Sequence, residues 1–540
     1  ADWAIWMAGH VSVPLYPTLA IKTVQHILDH SGTCLIFVGK LDDAEAMMAS
    51  VPAHLPCIRL PLGPEWPGAQ WQDIVKLQFP LQGQAVRPAD DLCTVMYTSG
   101  TTGNPKGVMH SFDNFARAIT EGLARIPMTA DYRILSYLPL SHIAERVIVE
   151  HGLLATGMHV FFAESLDTFA QDMRRARPTF FFSVPRLWVK FKEGVDAKML
   201  PAKLARMLKI PIVRGLVRKK VLTALGLDQC RLAAGGAAPM PADLLRWYTA
   251  LGLNMIEIYG MTENCGVSHS TLPGKSRPGT VGLSFPGVQC RLAPEDSEIQ
   301  MKNNMLMLGY FKEPQLSQEA LTLDGWLRTG DKGAMDAEGN LKITGRVKDL
   351  FKTNKGKYVA PAPIEDKLAL TPGVEACCVV GSNLGQPLAL LMLSMLAAKQ
   401  SLEAEHRRSL EAGIAAKLAE VNATLDPHEQ LSCMVVISEP WTVESGLITP
   451  TFKVKRNRIE EVYGHAFEDW TAQRKKVLWH AAERRARGTV VVMHQMGSHG
   501  PAYFKRTPAA FKPFTPECTD TSLSQCDRAQ VVNAYDNTIV

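Results

Sequence analysis

Short apolar runs recur along the first two thirds of the chain, separated by longer stretches with helical spacing of apolar positions. Cys34-Leu35-Ile36-Phe37-Val38, Arg133-Ile134-Leu135-Ser136-Tyr137-Leu138 and Phe180 to Val184 read as strands. Leu92 to Tyr97 and Asn254 to Ile258 read the same way. The alternation over 1–345 predicts layered α/β structure with largely parallel sheets. From about 277 to 345, glycine, proline and turn residues become dense and the strands shorten, as in a small antiparallel or barrel-like unit. Residues 349–478 form a second block of α+β character. It has strands near 374–380, 387–395 and 432–438 and a helix near 402–422. No internal repeat is visible. The predicted architecture is therefore α/β: a large N-terminal domain of layered α/β subdomains plus a small β-barrel-like unit (1–347), followed by a small α+β C-terminal domain (348–480). The stretch 489–540 differs in character from both.

Composition bounds this picture. A chain of 540 residues is too long for one core. Its hydrophobic content of 46% and charged content of 21% are those of ordinary globular proteins, and a net charge of +5 gives no reason to expect a nucleic-acid partner. No apolar run reaches the roughly 18–20 residues of a membrane span; the longest, Leu388 to Ala398, is broken by Ser394. Ala1 to Leu15 reads as the middle of a domain without an export signal, so the natural start is expected to lie upstream. The eleven cysteines lack metal-ligand spacing, and Cys377-Cys378 read as buried thiols. A reducing, cytoplasmic setting is expected. Residues 201–220 carry Lys203, Arg206, Lys209, Arg214, Arg218, Lys219 and Lys220 and no acidic residue. Such a stretch is either a solvated helical face or a surface for an anionic membrane, at its inner face in a cytoplasmic protein.

The chemistry concentrates in Tyr97-Thr98-Ser99-Gly100-Thr101-Thr102-Gly103-Asn104-Pro105-Lys106-Gly107. This stretch puts three glycines, four aliphatic hydroxyls and a lysine at the end of an apolar run. Glycines let backbone N–H groups approach an anion, hydroxyls add donors, and Lys106 adds charge, so the stretch suits a polyphosphate. It is not the common phosphate loop, in which glycine precedes the lysine and serine or threonine follows. Pro273-Gly274-Lys275-Ser276 has that ending, but His269 holds the place of its opening glycine. A flexible surface loop is the competing reading of 97–107.

Four further motifs follow in order. Tyr259-Gly260-Met261-Thr262-Glu263 presents a hydroxyl for phosphate and a carboxylate for Mg²⁺, a hard cation that prefers oxygen ligands; alternatively it is a strand-to-helix turn with Thr262 as N-cap. Gly325-Trp326-Leu327-Arg328-Thr329-Gly330-Asp331 sets a carboxylate at a glycine turn, suited to paired ribose hydroxyls. Gly345-Arg346-Val347-Lys348-Asp349 opens a basic segment that runs to Pro363, and Thr449-Pro450-Thr451-Phe452-Lys453-Val454-Lys455-Arg456 is a basic cluster. In this order the five motifs resemble those of the adenylate-forming enzymes over roughly residues 1–480. Leu138-Pro139-Leu140-Ser141-His142-Ile143-Ala144-Glu145-Arg146, Ser183-Val184-Pro185-Arg186-Leu187-Trp188 and Asp349 to Pro361 resemble the long-chain fatty acyl-CoA synthetase forms of their motifs.

That resemblance implies a ligase that joins a fatty acid to CoA at the expense of ATP through an acyl-adenylate. It implies that Thr98, Ser99, Gly100, Thr101, Thr102, Gly103 and Lys106 cradle the β- and γ-phosphates. Thr262 contacts the α-phosphate and Glu263 holds Mg²⁺. Gly235, Gly236 and Ala237 line the adenine and acyl pocket, and Tyr259 stacks near adenine. Asp331 and Arg346 bind ribose. Lys453 reaches the carboxylate and α-phosphate during adenylation, Lys348 is the hinge of the small domain, and His142 shapes the acyl or thiol site.

Departures from the family are expected at both ends. Elements that precede Ala8 in the family are missing, which would expose core surface and compromise activity. Ser297-Glu298 and Asn303-Asn304 replace glycine-containing pairs away from the chemistry. Val490 to Tyr503, with His494, Cys518 and Cys526, resembles a piece of the lipid A phosphoethanolamine transferases, periplasmic zinc enzymes of the sulfatase-like class. That family's threonine nucleophile and main zinc ligands fall outside 489–540, so the tail is expected to be inert and the product of a rearranged or frameshifted reading. The competing functions are an inactive remnant that at most binds nucleotide, and a phosphoethanolamine transferase supported by the tail alone.

Overall fold

The computed structural model describes residues 1–480 except Asp42, Asp43, Gln84, 99–104, Leu166, Ser276, Glu444 and 450–452. Residues Ala1–His480 form one compact unit. The resemblance at 489–540, with His494, Cys518 and Cys526, lies outside the described residues.

The central sheet has five strands. Phe180–Ser183, Leu232–Gly236 and Met255–Tyr259 run parallel, and His269–Ser270 and Leu283–Ser284 complete it antiparallel. All residues of 180–183 and 232–236 are buried, as expected where strands are covered on both faces. The 92–98 strand departs from the expected parallel order. Leu92–Thr98 pairs antiparallel with Lys106–Ser111, and Gly309–Tyr310 adds antiparallel to the second strand. A short connection permits this return, because a parallel neighbour would need a crossover of a dozen or more residues. The hairpin runs straight into the helix Phe112–Arg125, whose capping box is closed by Ser111 and Asn114 in both directions, at 3.2 and 2.9 Å.

The glycine-rich region forms the four-stranded antiparallel sheet Gln289–Leu292, Glu298–Lys302, Leu327–Met335 and Leu341–Arg346. It bears out the small antiparallel unit expected there. Beyond it, Val374–Val380, Leu388–Leu393, Met434–Ile437 and Val477–His480 make a second four-stranded sheet. The helix Ala404–Asn422 packs on that sheet through Ile414, Leu418 and Val421. The basic stretch is two helices, Pro201–Lys209 and Pro211–Leu225. Pro211 breaks the run, since proline lacks the amide needed to continue a helix but suits the first helical turn. Among the described residues the cysteines are free, and no helix is long and apolar enough to cross a membrane.

Candidate active site

The hairpin puts Thr98 opposite Lys106 at its open end. Ser99, Gly100, Thr101, Thr102 and Gly103 lie outside the described residues. Gly107 is required by packing: a Cβ there would stand 2.7 Å from the Val95 side chain and 3.1 Å from the Tyr97 ring. Lys106 Nζ stands 5.1 Å from the centre of the Tyr310 ring, a cation–π distance. The Tyr310 hydroxyl donates to Glu263 Oε1 at 2.9 Å. Tyr310 and His110 are site residues that the motif reading missed. Gly309 just before Tyr310 was the available sign, since its φ of +138° is a conformation that glycine favours.

Glu263 is held by the turn that follows the Met255–Tyr259 strand. Gly260 begins it, and its backbone passes so close to Gly266 that a Cβ would lie 2.3 Å from the Gly266 carbonyl. Thr262 is the first residue of a short 3₁₀ turn, Thr262–Asn264, rather than its cap; Asn264 Oδ1 accepts from the Met261 amide at 2.9 Å. The Thr262 carbonyl lies 2.7 Å from His110 Nε2. Burial lowers the His110 pKa to about 4, so the ring is neutral and Nε2–H donates. Glu263 is itself buried, which raises its carboxyl, while Tyr310, Lys106 and Arg346 pull it back down.

Asp331 joins two sheets. It follows Gly330, whose φ is +71°, and pairs in register with Arg346 on the neighbouring strand. Arg346 Nε lies 3.2 Å from Asp331 Oδ1, and the Tyr259 hydroxyl donates to Asp331 Oδ2 at 2.7 Å. Burial and the adjacent carboxylate hold the Tyr259 hydroxyl pKa well above its ordinary value.

Lys453 approaches this cluster from the second block. Its amide donates to Thr449 Oγ1 at 3.0 Å and its carbonyl accepts from the Thr449 amide at 2.8 Å. Crowding by protein atoms, then Arg346, push its pKa down to about 8, against the pull of Asp331 and Glu263. Its surface is still open to solvent, so this is a cleft with part of its water displaced, not a dry interior. Lys453 also helps hold buried His142 near pKa 4, where burial has the larger effect. Lys348 is exposed in the otherwise half-buried turn just beyond the Leu341–Arg346 strand.

Beside the turn lies a cavity of about 90 Å³, bounded by His142, Ala237 and Gly260 together with Phe180, Phe182 and Ile258. Of the glycine segment, Ala237 lines this cavity. Gly235 and Gly236 instead pack the strand, where a Cβ would meet Met240 at 2.9 Å or the Ile258 carbonyl at 2.7 Å. Ala237 has a φ of +65° and Cys265, also on the wall, +55°. Such conformations are rare for residues with a side chain and gather at functional sites.

The profile of the family described as AMP-binding enzyme matches residues 1–311, and that of the AMP-binding enzyme C-terminal domain matches 348–474. A Sulfatase profile matches 441–540. Within that overlap, Val477–His480 is hydrogen-bonded into the same sheet as Leu388–Leu393 and Met434–Ile437. The long-chain-fatty-acid–CoA ligase ACSBG2 of Gallus gallus is 30% identical, over 87% of this chain and 72% of its own length. The putative fatty-acid–CoA ligase fadD11 of Mycobacterium tuberculosis is 33% identical, over 72% and 74%. The adenylation domain of a carboxylate reductase from Mycobacterium chelonae superposes with a TM-score of 0.71 at 23% identity, over 86% of this chain and 77% of that one. On these matches, the chain belongs to the AMP-binding enzyme family.

Proposed function

We propose that the chain is a long-chain fatty acid–CoA ligase. The observation that carries this reading is the apolar cavity bounded by Ala237, Gly260 and His142. It runs up to the turn that bears Thr262 and Glu263, so the part of an apolar chain next to its carboxylate can be buried there while the carboxylate meets the polar cluster. At about 90 Å³ the cavity holds that part alone, and a long chain needs it to open further. In the first half-reaction a carboxylate oxygen attacks the α-phosphorus of ATP; the new P–O bond forms as the bond to pyrophosphate breaks. In the second, the CoA thiol gives up its proton and its sulfur attacks the acyl carbon, releasing AMP. Catalysis of the first step is mainly positioning and charge stabilisation. Lys106 and the 98–103 segment serve the β- and γ-phosphates, Thr262 the α-phosphate, Tyr259 the adenine, and Asp331 with Arg346 the ribose. Lys453 bridges the carboxylate and α-phosphate.

Glu263 fits a Mg²⁺ ligand. It is a buried carboxylate near two cations, and Mg²⁺ is commonly bound by one or two carboxylates plus substrate phosphates. When bound there, the ion would neutralise phosphate charge. The proposed domains are 1–347, which binds nucleotide and acyl chain, and 348–480, which turns about Lys348. Residues 489–540 carry no reaction in this reading.

Peripheral contact with an anionic membrane through 201–220 belongs to the same reading. Lys203, Arg206, Lys209, Arg214, Lys219 and Lys220 are exposed there, interleaved with exposed Leu200, Ile210, Ile212 and Leu216. Cations beside bare aliphatic side chains are the composition of an interfacial helix. The primary test is fatty-acid-dependent ATP–pyrophosphate exchange over a series of chain lengths, followed by thioester formation with CoA. Exchange that rises with chain length supports the reading. Nucleotide binding without exchange would assign the chain to the inactive remnants.

A further inference from the structure

We propose that Arg186, Lys190 and Glu375 form an electrostatic latch that holds the 348–480 block where Lys453 meets the nucleotide cluster. All three are positioning residues. The inference rests on the adenylating role of Lys453 given above.

Arg186 and Lys190 stand four residues apart on the helix Pro185–Asp196, which places them on one face. Both address a single carboxylate, that of Glu375, near the start of the Val374–Val380 strand. Arg186 makes a close ion pair with it, and Lys190 Nζ lies 3.8 Å from the same oxygen. The Arg186–Glu375 pair is partly shielded, its side chains 27% and 16% exposed, whereas Lys190 is 57% exposed. Burial lowers the pKa of both cations. Other charges act there as well: Glu193 raises the pKa of Lys190 and Arg186 lowers it. The Arg186–Glu375 pair is therefore screened less by salt than an exposed pair, and Lys190 adds the weaker, more screened attraction. Leu370, just before the strand, packs on the apolar cluster that contains Trp188 of the same helix. The segment that leads to Glu375 is thus anchored to the helix of Arg186 by an apolar contact as well.

A rigid path links this pair to Lys453. The Val374–Val380 strand that begins beside Glu375 also carries Val379, whose carbonyl accepts from Arg456. Arg456 is further locked by Glu365, whose two oxygens accept from it at 2.8 and 3.0 Å. Lys453 lies three residues before Arg456. On the other side, the helix of Arg186 follows directly from the Phe180–Ser183 strand, whose Phe180 and Phe182 wall the apolar cavity. The latch therefore ties the segment that delivers Lys453 to the element that shapes the acyl cavity. Undoing it leaves every substrate-contacting residue in place and loosens only their register.

The test compares Arg186→Gln, Glu375→Gln and the exchanged pair Arg186→Glu/Glu375→Arg in the full chain. Adenylation is read by ATP–pyrophosphate exchange, and thioester formation by release of AMP from supplied acyl-adenylate and CoA. Each single variant should lower the adenylation kcat about tenfold, a loss of about 1.4 kcal/mol in the transition state. Thioester formation should stay within about twofold of the parent, and the exchanged pair should recover most of the loss. A second readout does not depend on activity. Trypsin cleavage after Arg346 and Lys348, in the turn between the blocks, should accelerate in the single variants and slow again in the exchanged pair. Equal loss of both half-reactions without rescue would overturn the latch, as would unchanged adenylation and unchanged cleavage. A parent chain with no exchange activity but with the cleavage pattern intact would instead refute the functional reading and keep the latch.

Discussion

The Tyr259 hydroxyl donates to Asp331 at 2.7 Å while Arg346 holds the other oxygen of the same carboxylate at 3.2 Å. One carboxylate is thereby fixed between the end of a parallel strand and a β-hairpin that are far apart in the chain. Tyr259→Phe removes one of these two supports and leaves the charge pair. A hydrogen bond of this kind contributes about 0.5–1.5 kcal/mol. AMP affinity should therefore fall about 2–12-fold, as measured by calorimetric titration. Unchanged affinity would remove Asp331 orientation from the account of nucleotide binding.

Lys453 is expected to act as a cation. Its pKa is depressed to about 8, so the unliganded protein loses that charge as pH rises through about 8, well below the usual lysine range. The adenylation rate at subsaturating ATP should decline across that pH, and Lys453→Arg should push the decline upward. Lys453→Ala should abolish acyl-adenylate formation yet spare thioester formation from supplied acyl-adenylate. Equal loss of both half-reactions would refute its assigned role.

Two backbone positions near the cavity should respond in opposite directions. Gly260→Ala brings a Cβ to 2.3 Å from the Gly266 carbonyl, a clash that only backbone movement can relieve. It should destabilise the fold by about 3 kcal/mol or more and displace Glu263. Ala237→Gly relieves a φ of +65° and should stabilise by about 1 kcal/mol. Urea midpoints measure both; a stabilising Gly260→Ala would show that the turn is not as tight as described.

Buried acids should make stability fall with rising pH. Burial raises Glu257 to about 8, and Asp366, which bears on it from the second block, to about 7. Both folded pKa values exceed the unfolded ones near 4. Their stabilising contribution is therefore complete below about pH 4 and is lost as pH climbs through about 7 to 8. Glu145 and Glu150 are raised likewise, so Glu257→Gln should flatten the slope of unfolding free energy between pH 5 and 8 without abolishing it. A slope identical to the parent would show that Glu257 titrates normally.

Reversing the charge of Lys203, Arg206 and Lys209 should weaken sedimentation with phosphatidylserine vesicles while pyrophosphate exchange with soluble substrate stays unchanged. Ile212→Ser with Leu216→Ser should weaken vesicle binding even at high salt, where charge attraction is screened. Vesicle binding unaltered in both variants would leave the two helices as a solvated face.

Much of the fold was legible in the chain because its strands advertise themselves. Phe180–Ser183, Met255–Tyr259 and Val374–Val380 fall within a residue or two of their apolar runs, since strands that face a core need mostly apolar residues even where Glu257 or Glu375 interrupts the run. The order of the motifs likewise carried the candidate site, for Glu263, Asp331, Arg346 and Lys453 are named by local chemistry. Pairing was not legible. The short 99–105 connection leaves only an antiparallel return for 106–111 once that segment is known to be a strand, but nothing local marks it as one, and nothing ties Tyr310 to Glu263 or Glu375 to Arg186.

The sequence by itself thus determined which residue types are present and which short elements carry them: glycines where backbones must pass closely, hydroxyls and a lysine at a strand end, aliphatics for a buried sheet. Only the tertiary structure decided who meets whom. Tyr259 with Asp331, Lys453 beside Arg346 and Ala237 on the cavity wall are all contacts between segments distant in the chain. Hydrophobic periodicity encodes how each segment faces a core, whereas charge and hydrogen-bond partners depend on the packing of several segments at once.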